Sequence, residues 1–220
     1  MKKKILLSCC SLLMAFVLLK AQTPFYNDIQ HFKKLDSAQF PPQHAILFVG
    51  SSSFTKWTDV QDYFPGYPII NRGFGGSSLP DVIRYANNII IPYQPKQIVI
   101  YCGENDLAGT DTTVSGKIVF ERFKQLFVLI RKQLPNVPIA YVSMKPSPSR
   151  IKLWPKMITG NALIKKYLVK QKRTMFIDVY NNMFNKDGTV MKDIFVEDNL
   201  HMNAKGYAIW QKIIKPYLLK

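Results

Sequence analysis

Histidine and cysteine are scarce in this chain: three of each occur among 220 residues. Cys9 and Cys10 fall in an apolar stretch at the amino end, which leaves Cys102 alone in the remainder. That remainder has no partner for an intramolecular disulfide, and the cysteine spacing fits no zinc site. Acidic side chains are also few, 14 against 30 lysines and arginines, for a formal net charge of +16. No internal repeat, low-complexity tract or inter-domain linker is visible, so one domain is expected. A nucleotide loop is missing too. In "GFGGSS" the third glycine of a G-x-G-x-x-G would fall at residue 78, which is serine, and no P-loop lysine follows.

What is present begins with "MKKKILLSCCSLLMAFVLLKAQ". Basic residues, an apolar stretch from Ile5 to Leu19 and a small residue at Ala21 predict a secretory signal peptide over residues 1–21, too short for a permanent membrane span. Export to the periplasm or the exterior is therefore expected. Lipid attachment at Cys9 or Cys10 is ranked below it, because only four apolar or small residues precede them. Cleavage removes four lysines and leaves a strongly basic chain.

Hydrophobic residues make up 47% of the sequence, enough for one full core. After a helical and proline-rich lead-in over 22–44, continuous apolar runs recur at 45–49, 67–70, 97–101, 139–143 and 175–179, as buried parallel strands require. Helical patterns separate them. Phe120, Phe123, Phe127, Ile130 and Leu134 make one apolar stripe, Ser78 caps a helix with Pro80 in its first turn, and Asn203 caps a last helix ended near Pro216. Strand and helix alternating five times predict an α/β fold, a five-stranded parallel sheet between two helical layers. Cys102, beside a core strand, reads as a buried inert thiol.

In such a sheet the working crevice lies outside the carboxyl ends of the strands. Four polar clusters follow strands on that edge: Gly50-Ser51-Ser52-Ser53, Asn71-Arg72-Gly73-Phe74-Gly75-Gly76, Gly103-Glu104-Asn105-Asp106, and Asp198-Asn199-Leu200-His201 before the final helix. Of the histidines, His31 lies in the lead-in and His44 at the amino end of the first strand, so His201 alone reaches this edge. Asp198, three residues earlier, is placed to accept its imidazole proton. A serine hydroxyl beside that histidine makes a nucleophile, and the spacing leaves Ser51, Ser52 and Ser53 equivalent. For the oxyanion formed in acyl transfer, Gly76 offers a backbone amide, Asn105 a side-chain amide, and the serine its own N–H.

Together, Gly-x-Ser, "NRGFGG", "GEND" and "DNLH", in this order across roughly 45–215, resemble the SGNH (GDSL) hydrolase family. The resemblance implies a flavodoxin-like three-layer α/β/α sandwich over 45–220. It also implies Ser52 as nucleophile, Asp198 and His201 as acid and base, and Ser52, Gly76 and Asn105 as oxyanion donors. No metal or cofactor is implied. The substrates of such a protein are carboxylic esters, an acetylated carbohydrate or a lipid among them. Ser51 departs from the family, which usually has aspartate there, and the leucine of the short name is absent.

Blander roles stand beside these. Gly50 to Ser53 alone suits a turn with a serine cap, Asp106 suits a helix or loop cap, and a lone D-x-x-H suits a surface loop. The alternative at the level of function is a catalytically silent carbohydrate-binding protein. From Lys145 to Arg173 there are nine lysines and arginines and no acid. A solvated helix face is expected there, with weak contact to anionic surfaces second and nucleic acid excluded for want of a stacking pattern. The proline-rich "SMKPSPSR" (143–150) follows the fourth strand on the catalytic edge and is expected to shape the pocket or stiffen the loop. Nothing in the sequence fixes the oligomeric state.

Overall fold

The computed structural model describes residues 23–220, and the leader expected over 1–21 lies outside them. The apolar runs form strands β1 (Ile46–Gly50), β2 (Ile69–Gly73), β3 (Gln97–Tyr101), β4 (Ile139–Val142) and β5 (Thr174–Ile177). All pairings are parallel, in the order β2-β1-β3-β4-β5. Side chains alternate across the sheet, so each strand feeds two cores. Leu47, Val49, Ile98 and Ile100 pack under helices α1 (Tyr26–Ala38), α4 (Leu79–Ile89), α6 (Gly116–Gln133) and α7 (Trp154–Leu168). Ile46, Phe48, Val99 and Tyr101 pack under α2 (Ser52–Thr55), α3 (Val60–Tyr63) and α8 (Ala204–Ile214). Coverage of both faces explains why the strands read as unbroken apolar runs.

The predicted helices follow their signals. Asp81 Oδ2 accepts the Ser78 N–H at 3.0 Å at the start of α4, and Asn203 Oδ1 accepts from Lys205 and Gly206 at the start of α8. The α6 stripe buries Phe123, Leu126, Phe127 and Ile130, each contributing about 1.5–3 kcal/mol. The lead-in is fastened to the α1 side of the sheet. Arg72 pairs with Asp36 and lies 5.1 Å from the Phe32 ring centroid and 4.9 Å from that of Tyr93, and the Tyr85 hydroxyl donates to the Pro24 carbonyl at 2.7 Å.

One boundary differs from expectation. Strand β2 runs to Gly73, so Asn71 and Arg72 belong to the strand rather than to the loop after it. Their polarity hid this, and side chains compensate it: Asn71 Nδ2 donates to the Phe54 carbonyl at 2.7 Å, while Arg72 is held by Asp36 and Tyr93.

Candidate active site

The strand order reverses between β1 and β3, which opens the crevice at their carboxyl ends. β1 ends at Gly50, whose φ of 146° is open to glycine and whose Cβ, if present, would sit 1.9 Å from the Tyr101 carbonyl oxygen. Only a bare backbone can turn there beside β3. The Ser51 N–H donates to that same Tyr101 carbonyl, and the Ser51 carbonyl accepts from Phe54 and Thr55 to start α2. These backbone bonds hold the turn without the aspartate usual at this position.

The turn separates the three serines. Ser51 and Ser53 are buried, whereas Ser52 is half-buried at the first position of α2. Its Oγ lies 3.0 Å from His201 Nε2. Of the three candidate hydroxyls, this one meets the imidazole, across 149 positions of sequence.

His201 is held from behind by Asp198, whose Oδ2 is 2.5 Å from Nδ1. Asp198 Oδ1 also accepts the backbone N–H groups of Leu200 and His201, each at 2.8 Å. Asn199 adopts a left-handed φ of 53°, a conformation asparagine tolerates, and this folds the loop back on its own carboxylate. Partial burial would raise the Asp198 pKa, but the His201 N–H, the imidazole and the Leu200 N–H outweigh it and bring it to about 2. The carboxylate therefore stays charged, and it fixes the imidazole with Nδ1 as donor and Nε2 facing Ser52.

The loop after β2 is stapled to the same turn. Gly50 O accepts the Phe74 N–H at 2.9 Å and the Ser77 hydroxyl at 3.2 Å. A Cβ on Gly75 would lie 3.9 Å from the Ser52 Cβ, and the exposed Gly76 has a φ of 85°. Asn105, in α5 (Glu104–Ala108), donates from Nδ2 to the Ser77 carbonyl at 3.0 Å. Ser52 at the start of α2, Gly76 in the loop after β2 and Asn105 in α5 are thus tied together through Gly50 and Ser77. Asp106 caps α4, its Oδ2 accepting the Leu79 N–H at 2.9 Å while Arg122 pairs with Oδ1. Cys102 is buried and its thiol pKa is pushed well up by burial, as an inert core thiol requires.

The basic stretch is not wholly the solvated face expected of it. Lys145 is 2% exposed and Arg150 is part-buried, both gathered around Glu104, itself 3% exposed. Lys145 Nζ is 3.1 Å from Glu104 Oε1, Arg150 Nη1 donates to Oε2 at 3.2 Å, and the Tyr101 hydroxyl also bonds Oε1. Burial pushes the Lys145 pKa down, and Glu104 opposes that shift. Arg150 Nη2 reaches Asn105 Oδ1 at 2.8 Å, and Ser149 donates through both N–H and hydroxyl to the Asn199 carbonyl. The "SMKPSPSR" loop therefore ties the Asn105 loop to the Asp198 loop. None of Glu104, Lys145, Ser149 or Arg150 was given a role of its own from sequence. The available signal was the position of that loop directly after a strand on the working edge. Farther along, Arg131, Lys132, Lys170, Lys172 and Arg173 line a concavity of about 710 Å³ at the opposite, amino end of β4 and β5. Among the described residues no group of three or more His, Cys, Asp or Glu is placed to hold a metal ion.

A five-stranded parallel sheet in flavodoxin order between two helical layers, with a serine, an imidazole and a carboxylate linked at its β1/β3 crevice, has the three-layer architecture of GDSL-type hydrolases. The chain belongs to the GDSL-like Lipase/Acylhydrolase family, whose model matches residues 34–209. It is similar to the platelet-activating factor acetylhydrolase IB subunit alpha2 of Homo sapiens, 29% identical over 181 residues that cover 78% of this chain and 73% of the relative. Its fold is similar to a GDSL-like lipase from Bacteroides thetaiotaomicron (TM-score 0.73, 21% identity, 86% of this chain and 96% of the other). An acetylxylan esterase from Geobacillus stearothermophilus shares the fold as well (TM-score 0.63, 14% identity, 80% and 95%). The protein is a hydrolase acting on esters, and the alternative of a silent binding protein is set aside.

Proposed function

We propose that this chain is an exported serine esterase that removes a small acyl group, acetyl first among them, from a carbohydrate or lipid ester. The observation that carries the mechanism is the unbroken chain from Ser52 Oγ through His201 to Asp198, at 3.0 Å and 2.5 Å. His201 Nε2 takes the Ser52 proton as Oγ bonds to the ester carbonyl carbon. The N–H groups of Ser52 and Gly76 and the Asn105 side-chain amide hold the resulting oxyanion. Collapse expels the alcohol, which receives the proton from Nε2. Water then attacks the acyl-enzyme, gives its proton to His201, and releases the acid as Ser52 is reprotonated. Asp198 stays ionised throughout.

The small acyl group is supported by two relatives named for acetyl esters, an acetylhydrolase and an acetylxylan esterase. Export is supported by the leader sequence, and recovery of a mature chain beginning at Gln22 outside the cytoplasm tests it. Contact with anionic surfaces is supported by the basic concavity, and salt-sensitive retention on an anionic matrix that survives reversal of Lys170 and Lys172 would remove that support.

The central test is Ser52→Ala assayed with p-nitrophenyl acetate. Turnover should fall on the order of 10⁴- to 10⁶-fold while the fold persists, and turnover equal to that of the unaltered enzyme excludes Ser52 as nucleophile.

A further inference from the structure

Asn105 has two faces, and only one of them suits an oxyanion. An amide side chain that presents its oxygen instead of its nitrogen would repel the developing charge, so the flip state of Asn105 decides whether it helps or harms. Two neighbours set that state. The Ser77 carbonyl can only accept, and it takes one Nδ2 proton at 3.0 Å. Arg150 can only donate, and its Nη2 reaches Oδ1 at 2.8 Å. Flipping the amide would set oxygen against a carbonyl and N–H against a guanidinium. The second Nδ2 proton has no hydrogen-bond partner among the described residues.

Arg150 is itself held. Its Nη1 donates to Glu104 Oε2 at 3.2 Å, and Glu104 is fastened by Lys145 Nζ at 3.1 Å, by the Lys145 backbone N–H at 3.3 Å and by the Ser147 hydroxyl at 3.4 Å. The anchor is buried, with the Glu104 side chain 4% exposed and that of Lys145 2%. Burying a carboxylate and two cations costs free energy that packing alone would avoid, so a network of this kind calls for a role beyond stability. Its free end is the guanidinium on Asn105. That cation both orients the amide and draws electron density toward Oδ1, which makes the remaining N–H a stronger donor.

We propose that Arg150, anchored by the buried Glu104–Lys145 pair, is a positioning residue for the oxyanion donor Asn105. It touches no reacting atom in this scheme and acts through the amide. The inference rests on the oxyanion role proposed above for Asn105, and the experiment separates the two.

kcat and KM for p-nitrophenyl acetate are measured for Asn105→Ala, Arg150→Gln, Arg150→Lys and the double variant Asn105→Ala/Arg150→Gln, each normalised to active sites titrated with a fluorophosphonate. Asn105→Ala should lower kcat by about 10²- to 10³-fold. Arg150→Gln should lower it by roughly tenfold to 10²-fold, with KM within about threefold of the unaltered value, because an oxyanion donor acts in the transition state. Arg150→Lys should recover part of that loss, since one ammonium replaces only part of a two-armed guanidinium. The double variant should be no slower than Asn105→Ala alone, the sign of two residues acting on one interaction. Losses that multiply in the double variant, or an Arg150→Gln enzyme with unaltered kcat beside a slow Asn105→Ala, overturn the positioning role and leave the esterase mechanism standing. Unaltered kcat in Asn105→Ala, with Ser52→Ala inactive, removes the oxyanion assignment and this inference with it. Should Arg150→Gln fail to fold, Arg150→Lys decides alone: full kcat refutes the proposal, and a reduced kcat at constant KM supports it.

Discussion

Two carboxylates stand on the same edge of the sheet and are held in opposite ways. Asp198 is 46% exposed in its side chain and is fixed by its own loop, through two backbone N–H groups and an imidazole three residues on. Glu104 is 4% exposed in its side chain and, besides the Tyr101 hydroxyl three positions before it, is fixed by groups 41 to 46 positions away, Lys145, Ser147 and Arg150. Local hydrogen bonds suffice to orient an acid that must stay near the reacting groups. A buried acid needs opposite charge, and here that charge arrives from the segment that follows β4. The first carboxylate serves the imidazole directly, while the second organises the loops around Asn105.

Three experiments sharpen or break this contrast. Asp198→Asn should lower kcat on the order of 10³- to 10⁴-fold, because the imidazole loses both its tautomer and its counter-charge. Its urea midpoint should fall by less than that of Glu104→Gln, by the part of the stability that the ionised Asp198 supplies. A large loss of stability with little loss of turnover would make Asp198 the structural residue of the two. Glu104→Gln should behave the other way. It leaves Lys145 and Arg150 without their anion, at about 3–5 kcal/mol of stability in urea unfolding, and turnover per folded molecule should fall by no more than about tenfold, far short of the Asp198→Asn loss.

The smallest effect is the pH dependence of Asp198. Its folded pKa of about 2 lies below the ordinary aspartate value of about 3.9. A depressed pKa adds stability above the unfolded value, and that part is lost as pH falls from about 4 toward 2. The stability difference between the unaltered chain and Asp198→Asn should therefore shrink across that window and be flat above about pH 5. A difference that grows on acidification would contradict the hydrogen-bond pattern around Asp198.

The same contrast separates what was legible from what was not. The Asp198–His201 pair could be read because a carboxylate and an imidazole three residues apart meet within one turn. The helix starts at Ser78 and Asn203 were legible for the same reason, since capping is a contact between near neighbours. Asn71 and Arg72 were read as loop because their polarity masks a strand whose side chains are satisfied by Phe54, Asp36 and Tyr93. Lys145 and Arg150 were read within a solvated basic stretch and a loop shaping the working edge, with no ion pair expected, because nothing nearby in sequence opposes them and their counter-charge at Glu104 lies at the start of α5, after β3.

By itself, the amino-acid sequence determined the five apolar runs, the alternation with helices that makes the sheet parallel, and the local loop that joins Asp198 to His201. Periodicity and short-range bonding depend on residues close along the chain. Spacing left the three adjacent serines equivalent and the family resemblance pointed to Ser52, whereas the tertiary structure alone shows how Ser52 meets His201 and decided which cation faces Asn105. Those contacts span 149 and 45 positions, and they exist because the sheet order brings the ends of β1, β3 and β4 side by side while the turn at Gly50 buries the two neighbouring serines.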